Sequence, residues 1–436
     1  MGHVHGDEPA GSNAPNAEVA AVTEPSSQKE RDEERKHFES VLKAYDSYLP
    51  MALANNERRR RALRSLPPHH RSLLEEIGPV LPPPALERSS TAVAHGNSSD
   101  PSPIVTGRGV RARLDEIDDR IRRNADLLGK IVGDSRRFME SAGQYMSAES
   151  SAAEWSSVSP DSESKRSELE QRHQHQEKVR STLKQLVRDW SKEGKEERSA
   201  AYGPIIQALE ARFGHLPLSQ RSSIHILVPG AGLGRLAWEF AHSGYSSQGN
   251  EFSFFMLLAS HFILNESHSL HEHIIYPHVH FASNWRTAAD MLQPVSIPDV
   301  IPSDLPEGVD FSMVAGEFVE VYSRPGERER WQCVATSYFI DTAKNVVRYI
   351  EIINQLLQPG GYWINAGPLL WHFETADDVM SIELTLDETM DLVRRMGFEV
   401  EECRMLPMQL YTGTTAAMLQ YNYVPAFWVA RKVASL

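Results

Sequence analysis

The fold is decided by the stretch Ile224-His-Ile-Leu-Val-Pro-Gly-Ala-Gly-Leu-Gly-Arg-Leu-Ala-Trp-Glu239. A short apolar run, Ile226–Val228, leads into glycines at 230, 232 and 234, and a segment with helical apolar spacing begins at Leu236. The pattern predicts a strand, a glycine turn and a helix. Glycines in such a turn let the backbone approach a ligand closely, and the first turn of the helix offers unpaired N–H donors.

An acidic residue follows the glycine turn at the expected distance. Glu251 lies in Gln248-Gly-Asn-Glu251, where the second strand of a nucleotide-binding unit should end. A carboxylate there typically binds the two ribose hydroxyls of a nucleoside. The turn and the acid together predict a nucleotide-like cofactor without saying which one.

Composition excludes several classes of protein. The formal net charge of −14 argues against nonspecific binding to nucleic acid. The sequence has no apolar run long enough for a membrane span, and its N-terminus is too polar for a signal peptide. Two cysteines, Cys333 and Cys403, cannot form a disulfide framework, so we expect a reducing, cytoplasmic location. The basic run Arg58–Arg61 adds nuclear targeting as a hypothesis, against a solvated helix face.

The N-terminal part of the chain is predicted to be helical and interrupted. Residues 1–28 have the composition of a disordered tail. Residues 29–200 contain three segments with apolar stripes at helical spacing, separated by Ser/Pro-rich linkers at 85–107 and 146–165. We expect these helices to form one layer, packed together or on the segment that follows. In the third helix, Gln185 and Arg188 are three residues apart and share a face.

From Ile224 onwards, strands and helices alternate, which predicts an α/β fold with a mostly parallel sheet. A strand over Phe311–Ala315 leads to Glu317, and a strand over Trp331–Ile340 leads to Asp341. Ligands of such sheets bind beyond the carboxyl ends of the strands, so the glycine turn and three carboxylates should lie along one edge. The histidines between 268 and 280 have no spacing typical of a ligand set, and no metal site is expected.

Two classes of enzyme use this opening motif: nicotinamide dehydrogenases and methyltransferases that use S-adenosylmethionine. The Gly-x-Gly-x-Gly turn and the segment Leu357-Gln-Pro-Gly-Gly361 before an apolar strand favour the methyltransferases. The pair Glu317-Phe318 at a strand end also suits the amino group and ring face of adenine. An NAD-dependent oxidoreductase and a non-catalytic nucleotide-binding protein remain as alternatives, although the latter would not need Asp341 at the ligand edge.

Several longer motifs resemble the carnosine N-methyltransferase family (the N2227-like proteins). They are Val228-Pro-Gly-Ala-Gly-Leu-Gly-Arg-Leu-Ala-Trp-Glu239, Gln248-Gly-Asn-Glu-Phe-Ser-Phe-Phe-Met256, Phe339-Ile-Asp-Thr-Ala343 and Gly367-Pro-Leu-Leu-Trp-His372. The resemblance runs from about residue 30 to the C-terminus and is strongest from Val179 onwards. It implies a Rossmann-like class I methyltransferase domain over residues 201–436. It also implies methyl transfer from S-adenosylmethionine to the imidazole Nπ of carnosine, which gives anserine.

The resemblance also implies which residues bind the cofactor. Glu317-Phe318 stand where the family has Asp-Phe near the adenine, and Ser337 stands where the family can show Cys, so a backbone contact is expected there. Arg188 suits the carboxylate of the methionine part. The implied cofactor-binding residues are Gln185, Arg188, Gly230, Glu251, Glu317, Phe318 and Ser337.

The substrate-binding positions implied by the family are Asp341, His372, Tyr411 and Tyr423. Imidazole has a pKa near 6.5, so it is largely neutral in the cell and needs little activation as a nucleophile. A carboxylate bonded to its other ring N–H would fix the tautomer, stabilise the developing charge and accept the proton, and Asp341 is the candidate for this catalytic role. A pocket for a histidine dipeptide also suits histidine within a peptide or protein, and a protein histidine stays open as an alternative acceptor. The sequence leaves a homodimer open.

Overall fold

The computed structural model describes residues 18–20, 28–78, 108–141, 162–376 and 379–434. The predicted linker 85–107 lies outside the described residues, as does most of the linker 146–165, whose last residues begin a helix. Of the tail 1–28, the structure describes residues 18–20, which form a short strand, and Gln28, which begins a helix.

The bounds of the elements follow the chain from this strand to the C-terminal part. The helices are α1 (Gln28–Asp46), α2 (Tyr48–Ser65), α3 (Pro68–Glu76), α4 (Gly109–Ser141), α5 (Ser162–Trp190), α6 (Lys195–Phe213), α7 (Leu218–Arg221), α8 (Arg235–His242), α9 (Phe254–Glu266), α10 (Ala288–Met291), α11 (Phe318–Tyr322), α12 (Val346–Leu356) and α13 (Leu386–Arg395). The strands are β1 (Glu18–Ala20), β2 (His225–Pro229), β3 (Ser246–Glu251), β4 (His273–Ile275), β5 (Val295–Ile297), β6 (Phe311–Ala315), β7 (Trp331–Ser337), β8 (Leu357–Gly367), β9 (Phe398–Met405), β10 (Gln409–Leu410), β11 (Asn422–Tyr423) and β12 (Ala426–Lys432).

The central sheet has the order β1-β6-β3-β2-β7-β8-β12-β9. Its pairs from β1 to β8 are parallel, and β12 runs antiparallel to both of its neighbours. The strand order reverses at β2, because β3 and β6 lie on one side of it and β7 on the other. This is the doubly wound, Rossmann-like arrangement that the alternating pattern predicts, and its ligand crevice opens beyond the carboxyl ends of β2 and its neighbours.

The strand predicted over residues 331–340 is shorter in the structure. Strand β7 ends at Ser337, because Tyr338 has φ +53° and leaves the extended conformation. Ile340–Thr342 then form a single 3₁₀ turn, in which Ile340 stays buried. The apolar residues of the sequence extend beyond the end of the strand because the 3₁₀ turn that follows is also buried in the core. Asp341 therefore lies in this turn and not at the last position of a strand.

The N-terminal helices pack on the sheet domain as the apolar stripes predict. Leu114, Ile121 and Leu183 belong to the same continuous core as Val228 of β2. Helix α1 contacts both α4 and α5, and α4 and α5 also contact α9. The two parts share one hydrophobic core, so the helical region is a structural component of the sheet domain.

A buried polar contact joins the helical part to the histidine-rich segment. The Tyr48 hydroxyl lies 2.6 Å from Nε2 of His280 and accepts a hydrogen bond from the Asn124 amide at 3.1 Å. Burial lowers the pKa of His280 to about 3, so its imidazole is neutral. This histidine stabilises the packing of helices on the sheet domain.

Within the described ranges, no three His, Cys, Asp or Glu side chains cluster as a metal site would require, and no helix is long and apolar enough to span a membrane.

Candidate active site

The glycine turn lies between β2 and α8, as the sequence predicts. Gly230 has φ +65°, and a Cβ built on it would come within 2.6 Å of the Phe339 ring. Gly232 has φ +56°, and the nearest atom to a Cβ built on it is Oδ2 of Asp189 at 4.0 Å. Side chains at these positions would strain the backbone and, at position 230, clash with the aromatic ring. The turn therefore exposes its backbone at the crevice.

Glu251 ends β3 beside this turn. Its Oε2 accepts a hydrogen bond from the Gly232 N–H at 2.9 Å, and its Oε1 accepts from the N–H groups of Phe252 and Ser253 at 2.9 and 2.8 Å. Burial raises the pKa of this carboxyl, and the three backbone donors oppose the rise. The contacts hold the carboxylate in a fixed position next to the turn, where the sequence predicts a ribose-binding acid.

Arg188 lies at the end of α5 and is buried beside the same crevice. Its Nε is 3.2 Å from Oε1 of Glu197 in α6. Its guanidinium carbon lies 4.6 Å from the ring centre of Tyr411 and 4.9 Å from that of Tyr202. The aromatic faces and the carboxylate stabilise the buried cation and fix its position.

Three tyrosines form an aromatic cluster next to Arg188. The rings of Tyr338 and Tyr411 stack at 4.5 Å, and Tyr423 meets them edge-on at 5.8 and 6.1 Å. Strands β10 and β11 form a small hairpin that brings positions 411 and 423 together. The Gln185 amide donates to the Tyr411 hydroxyl at 3.1 Å. The structure thus brings together Gln185, Arg188 and the two predicted substrate tyrosines.

Tyr338 was missed by the sequence analysis. It follows the last residue of β7 with a left-handed φ of +53°, a conformation that bulky side chains rarely adopt outside functional sites. Its N–H donates to the Ala366 carbonyl at 2.9 Å, which fixes the backbone there. The position after a strand end is the only signal in the sequence, because the turn conformation is set by packing.

Asp341 and His372 are joined by a backbone hydrogen bond. The His372 N–H donates to the Asp341 carbonyl at 3.0 Å, and Oδ2 of Asp341 accepts from the Leu370 N–H at 3.1 Å. Asp341 is 3% exposed, whereas the His372 side chain lies at the surface. Burial raises the pKa of Asp341 from 3.8 to about 7. The carboxyl group is therefore poised to exchange a proton near neutral pH.

Glu317 and Phe318 do not line an open pocket for adenine in this structure. Glu317 is the N-cap of α11, where its carboxylate accepts from the Glu320 N–H at 3.0 Å. The Phe318 ring is buried among aromatic rings, 5.4 Å from that of Phe339 and 5.2 Å from that of Tyr349. An adenine contact at this pair would therefore involve the rim of the ring, the backbone or the carboxylate.

Several buried polar atoms without a partner lie at this edge of the sheet. Buried atoms without a hydrogen-bond partner include Nη2 of Arg188, Oγ of Ser337, the hydroxyl of Tyr338 and Oδ1 of Asp341. Leaving such a group unpaired costs about 1–3 kcal/mol, and more for a charged one. Donors and acceptors of this kind fit a polar ligand with an anionic group near Arg188.

The pKa of Asp341 leads to a prediction about stability. When the pKa of a carboxyl group is higher in the folded than in the unfolded protein, its protonated form stabilises the fold. This contribution is complete when the pH is below the unfolded-state pKa, and it is lost as the pH rises through the folded-state pKa. We expect Asp341 to lower the free energy of unfolding by about 2–3 kcal/mol between about pH 5 and about pH 8, from its pKa of about 7. Urea denaturation of the wild type and of Asp341→Asn at both pH values measures this. The difference in stability between the two proteins should change with pH by this amount, and a constant difference would contradict it.

Solved structures similar to this chain include methyltransferases with low sequence identity. One is a putative sarcosine dimethylglycine methyltransferase from Galdieria sulphuraria, with 11% identity, a TM-score of 0.35, and coverage of 54% of this chain and 86% of that one. Another is an S-adenosylmethionine-dependent methyltransferase from Mesorhizobium loti, with 14% identity, a TM-score of 0.32, and coverage of 53% and 98%.

Sequence relatives are much closer. The chain is 38% identical to a carnosine N-methyltransferase of Mus musculus over 399 residues, which cover 92% of this chain and 86% of the relative. It is 44% identical to a carnosine N-methyltransferase of Schizosaccharomyces pombe over 265 residues, which cover 58% and 70%. The model of the carnosine N-methyltransferase family matches residues 165–434. The chain therefore belongs to the carnosine N-methyltransferase family.

Proposed function

We propose that this protein transfers a methyl group from S-adenosylmethionine to the imidazole Nπ of carnosine, which gives anserine. The observation that carries the proposal is the buried carboxyl of Asp341, whose Oδ1 has no partner, at the ligand edge of a chain of this family. A buried acid with a pKa of about 7 suits an acceptor whose ring N–H needs a base near neutral pH.

The cofactor would lie across the glycine turn. Glu251 would bind the ribose hydroxyls, since it is buried next to Gly232. Arg188 would bind the methionine carboxylate through its unpartnered Nη2, and Gln185 would border the same end. Ser337, whose Oγ is also unpartnered, and the pair Glu317-Phe318 would border the adenine. When bound, S-adenosylmethionine supplies the electrophilic methyl group.

The residues of the chain would orient the imidazole and take up its proton. Asp341 would accept the hydrogen bond of the ring N–H that is not methylated, which aims the other nitrogen. As positive charge develops on the ring, this carboxylate would stabilise it and then accept the proton at Oδ1. Tyr411 and Tyr423 would pack on the dipeptide, and His372 would border it from the segment that holds Asp341.

Both parts of the chain would belong to one catalytic unit. Residues 201–436 would form the methyltransferase domain, while the helical region 29–200 supplies Gln185 and Arg188 from α5. A cytoplasmic location is expected for this unit, because two cysteines are too few for a disulfide framework. An additional nuclear location would depend on the basic run at residues 58–61 of α2.

Binding calorimetry tests the cofactor. We expect S-adenosylhomocysteine, the product of the cofactor, to bind the wild-type protein, and NADH to bind far more weakly or not at all. The reason is that Arg188 offers unpartnered donors to an amino-acid carboxylate, a group that NADH lacks. Binding of NADH alone would overturn the methyltransferase proposal in favour of an oxidoreductase.

A protein histidine is the second candidate acceptor. Tyr421 and Met418 are largely exposed in the segment that carries Tyr411 and Tyr423, so the rim of the site offers apolar surface to a larger substrate. A labelling experiment with carnosine, free histidine and cell extract in separate reactions distinguishes the acceptors. Incorporation into proteins without incorporation into carnosine would favour this alternative.

A further inference from the structure

Asp189 is a buried acid next to Arg188 that the proposed mechanism does not use. It is 2% exposed and lies in the last turn of α5. Its Oδ1 accepts a hydrogen bond from the Tyr202 hydroxyl at 2.9 Å, and its backbone carbonyl accepts from the Arg235 guanidinium at 2.8 Å. These contacts fix both the side chain and the end of the helix.

The other carboxylate oxygen of Asp189 faces the glycine turn. Among the described residues, Oδ2 has no hydrogen-bond partner in the structure, whereas Oδ1 is bonded to Tyr202. A Cβ placed on Gly232 would lie 4.0 Å from Oδ2 of Asp189. Apart from the neighbouring residues of the turn, no other described atom would be as close to it. The free oxygen is therefore one wall of the space above the turn.

The charges around Asp189 do not balance. Arg188 has Glu197 at 3.2 Å from its Nε, while its Nη1 lies at 3.8 Å from Oδ1 of Asp189. One cation therefore faces two carboxylates, of which Asp189 is buried and Glu197 is partly buried. The neighbouring Arg198 pairs with Asp299 at 2.5 Å and donates to the carbonyls of Arg188 and Ser191 at 2.7 Å each.

The cation Arg235 shares one of its acids with Arg198. It contacts Asp299 at 2.6 Å and Glu239 at 2.8 Å. The group thus has four carboxylates for three guanidinium groups, and Oδ2 of Asp189 is the oxygen that none of them occupies. A ligand cation would restore the balance.

We propose that Asp189 binds the α-ammonium group of the methionine part of S-adenosylmethionine, while Arg188 binds its carboxylate. The assignment rests on the proposed function, since it concerns the same cofactor. The methionine part of the cofactor carries an α-ammonium group and a carboxylate. The carboxylate of Asp189 and the guanidinium of Arg188 have the complementary charges. Tyr202 holds Asp189 in place through Oδ1 and leaves Oδ2 for the ligand.

The test compares two ligands by calorimetry: S-adenosylhomocysteine and its analogue with hydrogen in place of the α-amino group. A hydrogen bond to a charged group corresponds to about a 10- to 150-fold change in affinity. We expect the wild type to bind the deamino analogue weaker by this factor. Asp189→Asn should lose most of this preference. Compared with the wild type, it should bind S-adenosylhomocysteine more weakly, but it should bind the deamino analogue with about the same affinity.

Tyr202→Phe is the matched control, because it removes the bond to Oδ1 but keeps the charge of Asp189, so it should retain the preference. Equal binding of the two ligands by the wild type would overturn the assignment of Asp189, even if Asp189→Asn does not fold. An equal loss for both ligands in Asp189→Asn would also overturn it, because the role would then be structural. Binding of neither ligand by the wild type would refute the proposed cofactor instead.

Discussion

Asp341→Asn should lower kcat for methyl transfer to carnosine about 10²–10⁴-fold, the range typical of a positioned acid–base group. Asparagine has the same shape, and its carbonyl oxygen can still accept the hydrogen bond of the ring N–H. The lost quantity is the negative charge that faces the developing imidazolium, so most of the loss should appear in kcat and a smaller part in KM. Initial-rate kinetics over a range of carnosine concentrations measures both.

Two controls separate this role from a structural one. Calorimetry with S-adenosylhomocysteine should give nearly wild-type affinity for Asp341→Asn, because the hydrogen bond that its carboxylate accepts comes from the Leu370 N–H and not from the glycine turn. Asp341→Ala should also weaken carnosine binding, since it removes the acceptor itself. Near wild-type turnover in both variants would mean that positioning by His372, Tyr411 and Tyr423 is sufficient.

Arg188→Ala should weaken binding of S-adenosylhomocysteine about 10- to 150-fold, through the loss of a charge-assisted hydrogen bond to the methionine carboxylate. The variant should also unfold more easily. Removing one partner of a buried ion pair typically costs about 3–5 kcal/mol, and the buried Asp189 and the partly buried Glu197 would remain without their cation. Calorimetry below the melting temperature of the variant and a thermal denaturation curve measure the two effects separately.

Arg188→Lys distinguishes the two contributions. Lysine keeps the positive charge, so most of the stability should return, but it lacks the planar fork that pairs with a carboxylate. Cofactor affinity should therefore recover less than stability does. Wild-type affinity in Arg188→Ala would show that the end of α5 does not contact the cofactor.

The parts of the fold that depend on local patterns could be predicted from the sequence. The run from Ile226 to Gly234 combines apolar strand residues with glycines in a turn, and the structure has β2, the turn and α8 at those positions. Apolar stripes predicted helices α1, α4 and α5, because burial of one helix face requires that periodicity. Glu251 could be placed because the spacing from a glycine turn to the next strand end is nearly fixed.

The parts that depend on tertiary packing could not be predicted. The apolar residues up to Ile340 suggested a longer strand, since a buried 3₁₀ turn has the same composition as a buried strand. Tyr338 joins the site through a left-handed φ and through rings on a distant hairpin, and neither has a local signal. Asp189 also looked like an ordinary helix residue, because its partner Tyr202 and the glycine turn approach it only in the folded chain.

The most direct test of the central claim is the position of the transferred methyl group. The wild-type protein would be incubated with carnosine and S-adenosylmethionine labelled with ¹³C at the methyl group, and the product examined by NMR. We expect the label on the imidazole Nπ of carnosine, at a rate that falls with Asp341→Asn. Label on the β-alanyl amino group, or no labelled dipeptide while the cofactor binds, would contradict a site built to methylate imidazole.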